Sequence, residues 1–182
     1  MTDPAADKLK RLLAIATQLS STLNLEELLQ LIMSSAAELL DARSGSLLLL
    51  DPLTNELVFR VASAEPELVG QRMPADKGVA GQALSELKPV VITDATADGR
   101  VYREVDQAMG SATESLIAVP LSVGTKPLGV LEVMNKRTGT FTEQDTELVV
   151  ALASLAAIAI ENASLYAGLA EAVVTARLSY RF

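Results

Sequence analysis

Leu128-Gly129-Val130-Leu131-Glu132-Val133-Met134-Asn135-Lys136, followed by Phe141-Thr142 and Asp145, is the stretch on which the reading of this chain turns. Its first part is an apolar run of aliphatic and β-branched residues, which suits a strand over Leu128 to Asn135. Glu132 interrupts that run, and a carboxylate at a half-buried strand position needs hydrogen-bonding partners. Beyond the strand, Thr142 with Asp145 caps a helix that runs towards Ala176, and Asp145 complements the dipole of that helix. Lys136 and Asp145 therefore connect the end of a strand to the first turn of a helix.

Upstream, Ser115 to Ser122 forms a second strand, joined to the first through Val123-Gly124-Thr125-Lys126 as a hairpin. A further hairpin is expected from Ser44 to Asp51, the turn Pro52 to Asn55, and Glu56 to Ala62. Between the hairpins, Ser63 to Glu114 is less regular. It holds the Gly-punctuated segment Gly78-Val79-Ala80-Gly81, a short strand Val90 to Thr93, and a polar stretch Asp94 to Gly110 that suits a lid. The chain opens with helical periodicity: Asp3-Pro4 is a start signal, and Leu9, Leu12, Ala16, Leu19 and Leu23 recur at spacings of three and four. A second helix begins at Asn24, with Glu27 as capping partner, and its stripe is Leu25, Leu28, Leu29, Ile32, Ala36, Leu39 and Leu40. Helices, then strands, then a helix describe one α+β domain spanning residues 1–182, with helices covering an antiparallel sheet. We divide it into an N-terminal dimerisation helix (1–23), a core (24–160) and a C-terminal extension of the last helix (161–182).

Composition closes several functional classes. With 49% hydrophobic residues in 182, the chain can bury a substantial core. A net charge of −8 argues against nucleic acid as partner, because phosphate binding requires clustered Lys and Arg. The sequence has no Cys and no His, which removes disulfides, thiolate nucleophiles, the commonest metal ligand and the usual near-neutral base. Residues Met1 to Lys10 carry Asp3, Asp7 and Lys8 and do not resemble a signal peptide. The longest apolar run, Leu148 to Ile160, is too short to span a bilayer, so no membrane insertion and a cytoplasmic setting are expected.

The closing helix carries a heptad seam of Leu148, Ala151, Leu155, Ile158, Asn162, Leu165, Leu169 and Ala172, while Val149, Leu152, Ala156, Ala159 and Ile160 lie on other faces. A helix apolar on more than one side needs more than one surface to cover it. One face is therefore expected on the domain's own sheet and another on a second copy, with the first helix contributing Leu9, Leu12 and Leu19. Asn162 either fixes the register of that pairing or sits on its wet rim.

Five stretches in order resemble GAF domains, the PAS-related sensory modules of cyclic-nucleotide phosphodiesterases, adenylyl cyclases, phytochromes and sensor kinases. They are Ser44 to Asp51, Lys77 to Gly81, Lys88 to Asp94, Ser115 to Leu121, and Leu128 to Lys136 with Phe141 and Asp145. The resemblance is to bacterial-type members. It implies a six-stranded antiparallel sheet with the terminal helices on one face and a ligand cavity on the other. Asn135, Lys136, Phe141 and Asp145 look like the NKFDE motif of the nucleotide-binding members, with Thr146 in place of the final Glu. They form either a strand-to-helix brace or part of a ligand site. By the same resemblance, the pocket would use Ser46, the Val79-Ala80 backbone, Asp106, Met109, Thr113 and Glu132, although Met109 stands where the nucleotide-binding members carry a small hydroxyl residue.

The function implied is a non-catalytic regulatory module of signal transduction that binds a small molecule, forms a homodimer, or both. A cyclic nucleotide or another small metabolite is the candidate ligand. The absence of His and Cys excludes a His-ligated haem and a Cys-linked bilin. The alternatives are a purely structural dimerisation or protein-interaction module and, more distantly, an enzyme. A signalling output domain or partner protein is the expected recipient.

Overall fold

The short apolar runs fold into a six-stranded antiparallel sheet. A computed structural model describes residues 4–22, 24–101 and 113–179. The strands are β1 (Ala42–Asp51), β2 (Glu56–Ala62), β3 (Arg72–Pro74), β4 (Val90–Ile92), β5 (Leu116–Val123) and β6 (Lys126–Lys136). Their order across the sheet is β3-β2-β1-β6-β5-β4, so β1 and β6, far apart in sequence, form its centre. Both expected hairpins form, and Asn55 at φ 55 makes the left-handed step that closes the first.

Helices α1 (Pro4–Ser21), α2 (Leu25–Leu39) and α4 (Glu143–Ser179) cover one face of the sheet. The Asn24 side chain accepts from the Glu27 N–H at 3.1 Å and caps α2, as the sequence indicated. Against these helices the sheet presents Leu47, Val61, Ile117, Val119, Leu131 and Val133. The opposite face presents Leu48, Leu57, Phe59, Leu116, Val130 and Met134, and is covered by helix α3 (Gly78–Glu86) and the turn Pro66–Leu68. Helix α3 and strand β3 were not assigned from the sequence. The helix is only nine residues long and starts at a glycine with φ 68, so its periodicity is too brief to read.

Close approach explains two glycines. A Cβ on Gly129 would meet the Leu48 carbonyl oxygen at 2.1 Å, and one on Gly45 would meet Met33 Cε at 2.3 Å. The sheet is thus drawn tight at its β1–β6 seam and against α2.

Helix α4 divides as its two-sided apolar pattern indicated. Val149, Leu152, Ala153, Ala156, Ala157 and Ile160 are buried on the sheet, whereas Leu155, Ile158, Asn162, Leu165 and Leu169 are exposed. Leu9 is exposed too. Leu12 and Leu19, assigned from sequence to a dimer interface, are 9% and 2% exposed and belong to the chain's own core, because α1 packs on α2 and α4 through that stripe. The membrane estimate also needs correction. Judged by length and composition, Glu143–Val173 is apolar enough to cross a bilayer, with a window of mean hydropathy 1.9, since small residues after Ile160 prolong the Leu148–Ile160 run. The first half of that helix is nevertheless committed to the domain's core.

Candidate functional site

The cavity lies on the sheet face away from the long helices, and strand register explains its position. Ser46 of β1 pairs with Ala62 of β2 and with Glu132 of β6, which pairs with Ala118 of β5. Three of the residues in this cross-strand row are small, so the floor dips where the neighbouring row, Phe59, Leu48 and Val130, is bulky. A β-bulge between Leu47 and Leu48 against Arg60 sharpens the effect. It turns both Arg60, paired with Glu26 on α2, and Val61 to the helical face, which leaves Phe59 and Ala62 facing the cavity.

Glu132 is the polar centre of that row. Ser46, buried, donates to Glu132 Oε2 at 2.9 Å, which answers the need for a partner that its apolar strand implied. The walls and roof add Glu65, Leu68 and Met73, the first turn of α3 (Gly78, Val79, Ala80), and Val101 with Thr113. Glu65 and Thr113 are themselves buried. The enclosed volume is about 50 Å³, against the ~300 Å³ or more typical of ligand pockets. Within α3, the Gly81 N–H bonds the Lys77 carbonyl at 2.9 Å, so the N–H groups of the preceding turn point outward from the helix start. Gly81 is required there: a Cβ would meet the Asp76 backbone at 2.6 Å.

Of the residues assigned to the pocket from sequence, Ser46, Val79, Ala80, Thr113 and Glu132 line it together. Asp106 and Met109 lie outside the described residues, as does most of the stretch read as a lid. The flanks of that stretch meet, with the Ala95 N–H donating to the Glu114 carbonyl at 2.8 Å. The sequence reading missed Glu65, Phe59, Met73 and Met134. Alternation along β2 and β6 could have found the strand residues, but nothing in Ala64-Glu65-Pro66 announces a buried carboxylate.

Asn135, Lys136, Phe141 and Asp145 also come together, on the far side of β6 from the cavity, and none of them lines it. Lys136 Nζ sits 2.8 Å from Asp145 Oδ2, with side chains 13% and 3% exposed. It also donates to the Leu40 carbonyl at the end of α2 at 2.9 Å, and lies 5.6 Å from the Phe141 ring centre. Asp145 accepts from the Thr142 N–H and hydroxyl at 2.9 and 3.0 Å and caps α4. Burial alone would push the Asp145 carboxyl up, but hydrogen bonds from Lys136 and Thr142 together outweigh it and hold it below its ordinary 3.8. Asn135, at φ 59, turns its side-chain oxygen back to the Glu114 and Ser115 N–H groups at 2.8 and 3.3 Å. The geometry favours the brace: it joins α2, α4 and the start of β5.

A family model described as GAF domain matches residues 22–161. The chain belongs to the GAF domain family. A probable 3',5'-cyclic phosphodiesterase, pde-5 of Caenorhabditis elegans, is 30% identical over 146 residues, or 74% of this chain and 20% of that protein. This GAF domain thus spans about a fifth of that relative's length. Among solved structures, the GAF domain of a phosphoenolpyruvate-protein phosphotransferase from Coxiella burnetii superposes with a TM-score of 0.82 at 23% identity, covering 91% of this chain and 99% of that one. Free methionine-R-sulfoxide reductase from Neisseria meningitidis, solved in complex with its substrate, gives 0.74 at 23% identity over 91% and 95%. At that identity these two share the fold.

Proposed function

We propose that this GAF domain is a regulatory module that takes a small molecule into the cavity between the sheet and α3 and transmits its occupancy through the terminal helices, which pair with a second copy. The observation that carries this reading is the division of labour across the sheet. One face encloses a cavity with the buried polar residues Ser46, Glu65 and Thr113. The other seats α4, whose outer seam, including Leu165 at 62% and Leu169 at 64% exposure, has no cover among the described residues. The brace around Lys136 joins the two, since β6 carries Glu132 on the cavity side and leads directly into α4. We read the role as binding in a cytoplasmic signalling protein. The thiol chemistry of a cysteine-based sulfoxide reductase would require residues this sequence lacks.

A ligand transmits only if it binds two arrangements of the pair with different affinity. Sedimentation of the domain with and without ligand tests this: a monomer at all concentrations would overturn the paired sensor. The similarity to a phosphodiesterase keeps cyclic AMP and cyclic GMP on the list of ligands to titrate. Yet Phe59 is the one aromatic residue among the described lining, and a purine would find little to stack on. A second reading, a dimerisation module without a ligand, is favoured by the small cavity volume. Flat titrations with nucleotides and metabolites, on a protein that still pairs, would select it.

A further inference from the structure

Resting on the pairing proposed above, the outer seam of α4 also defines how the two copies lie. We infer that the two α4 helices pair in parallel and in register, with Asn162 of one copy against Asn162 of the other.

Leu155, Asn162 and Leu169 stand one heptad apart and form one row of the seam, while Ile158 and Leu165 belong to the other. All five are exposed. Ala153, Ala156, Ile160 and Ala163, which α4 buries against its own domain, belong to neither row. Between Leu155 and Val173 the charged residues are Glu161 and Glu171, and both lie outside the rows. Lys126 draws Glu161 back to its own domain at 2.8 Å. Two such seams complement one another, because rows spaced alternately by three and four interlock when helices supercoil. The area suffices as well. Leu155, Ile158, Leu165, Tyr166, Leu169 and Val173 are 37–64% exposed. At roughly 100 Å² from each, two copies bury about 1,200 Å², the size at which specific interfaces begin.

The lone amide decides direction. In a parallel pair each row meets the same row of the partner, whereas in an antiparallel pair it meets the other row. That other row, from Ala151 through Ile158 and Leu165 to Ala172, is apolar throughout. Antiparallel pairing therefore strands the Asn162 amide among apolar side chains. A parallel pair shifted by one heptad sets Asn162 against a leucine, Leu155 or Leu169, with the same penalty. Parallel and in register, the two amides donate to and accept from each other. Both α4 helices then leave their domains in the same direction.

The sequence has no Cys, so single introduced thiols report contacts without background. Leu155→Cys and Leu169→Cys, oxidised separately, should each give a disulfide-linked dimer on denaturing gels, because each site meets its own counterpart. These sites lie about 21 Å apart along the helix at ~1.5 Å per residue, and one antiparallel axis cannot serve both. A crosslink from only one variant, or only from their mixture, reports antiparallel pairing; it overturns the inference and leaves the paired reading intact. No crosslink from variants that still sediment as pairs overturns it in the same way. Asn162→Asp and Asn162→Lys should each weaken association at least tenfold by sedimentation, and mixing the two should restore it. A mixture that stays weak overturns the facing amides. A wild type that sediments as a monomer at every concentration overturns both the inference and the paired reading.

Discussion

At Asp145 a buried carboxylate is held by one lysine and one cap, and removing its charge leaves Lys136, among the described residues, with the Leu40 carbonyl and the Phe141 ring. Asp145→Asn should therefore cost about 3 kcal/mol of folding stability, read from urea unfolding, because a broken buried pair leaves an uncompensated charge. The acid response follows from the same contact. A carboxyl whose folded value is lowered stabilises fully above its ordinary 3.8, and that contribution disappears as pH falls through the lower folded value. The wild type should lose stability more steeply than Asp145→Asn on acidification below about pH 4, in melts at matched ionic strength. Gly129 makes a second test, since Gly129→Ala drives a methyl into the Leu48 carbonyl; a loss of about 1–3 kcal/mol is expected in the same unfolding assay. The partner that Glu132 needs was legible in the sequence as a requirement, but that it would be Ser46 depended on register. A single residue's shift along β1 would have presented Gly45 or Leu47 instead.

Among the elements, α4 was the most legible and α3 the least. The helix of 37 residues announces itself through a cap and a long periodic pattern, and its two apolar faces follow from the spacing of its apolar residues. The division of α1 was not legible. Leu9, Leu12 and Leu19 share one seam in sequence, but packing on α2 and α4 turns Leu12 and Leu19 inward and leaves Leu9 out. Strand β3, three residues long, carries no periodic signal and forms because Glu56, Leu57 and Val58 offer it an open edge. The exposed seam yields a prediction at this scale. Leu165→Lys combined with Leu169→Lys should shift the sedimentation coefficient towards the monomer while changing the melting midpoint little at low protein concentration, because both side chains are exposed within the chain. Asn162→Leu tests whether that amide selects strand number. If it sets register, the variant should form larger or mixed assemblies by light scattering; if it lies on a wet rim, the assembly stays unchanged.

For the whole molecule, the layer order was readable before any coordinates: helical, then strand, then helical periodicity leaves few ways to cover one sheet. The cavity was not, since it depends on a row drawn from β2, β1, β6 and β5, small at Ala62, Ser46 and Ala118, whose members lie up to 86 positions apart between Ser46 and Glu132 and meet only through pairing. Helix α4 also extends past Ala163, the last buried residue among those whose burial is described, as a rod rising about 1.5 Å per residue. Such a rod reports azimuth as well as distance. A single alanine inserted after Ser164 turns everything beyond it by about 100°, whereas seven inserted residues nearly restore the angle. If the seam works as a gear between copies, association measured by sedimentation should fail with the one-residue insertion and return with seven.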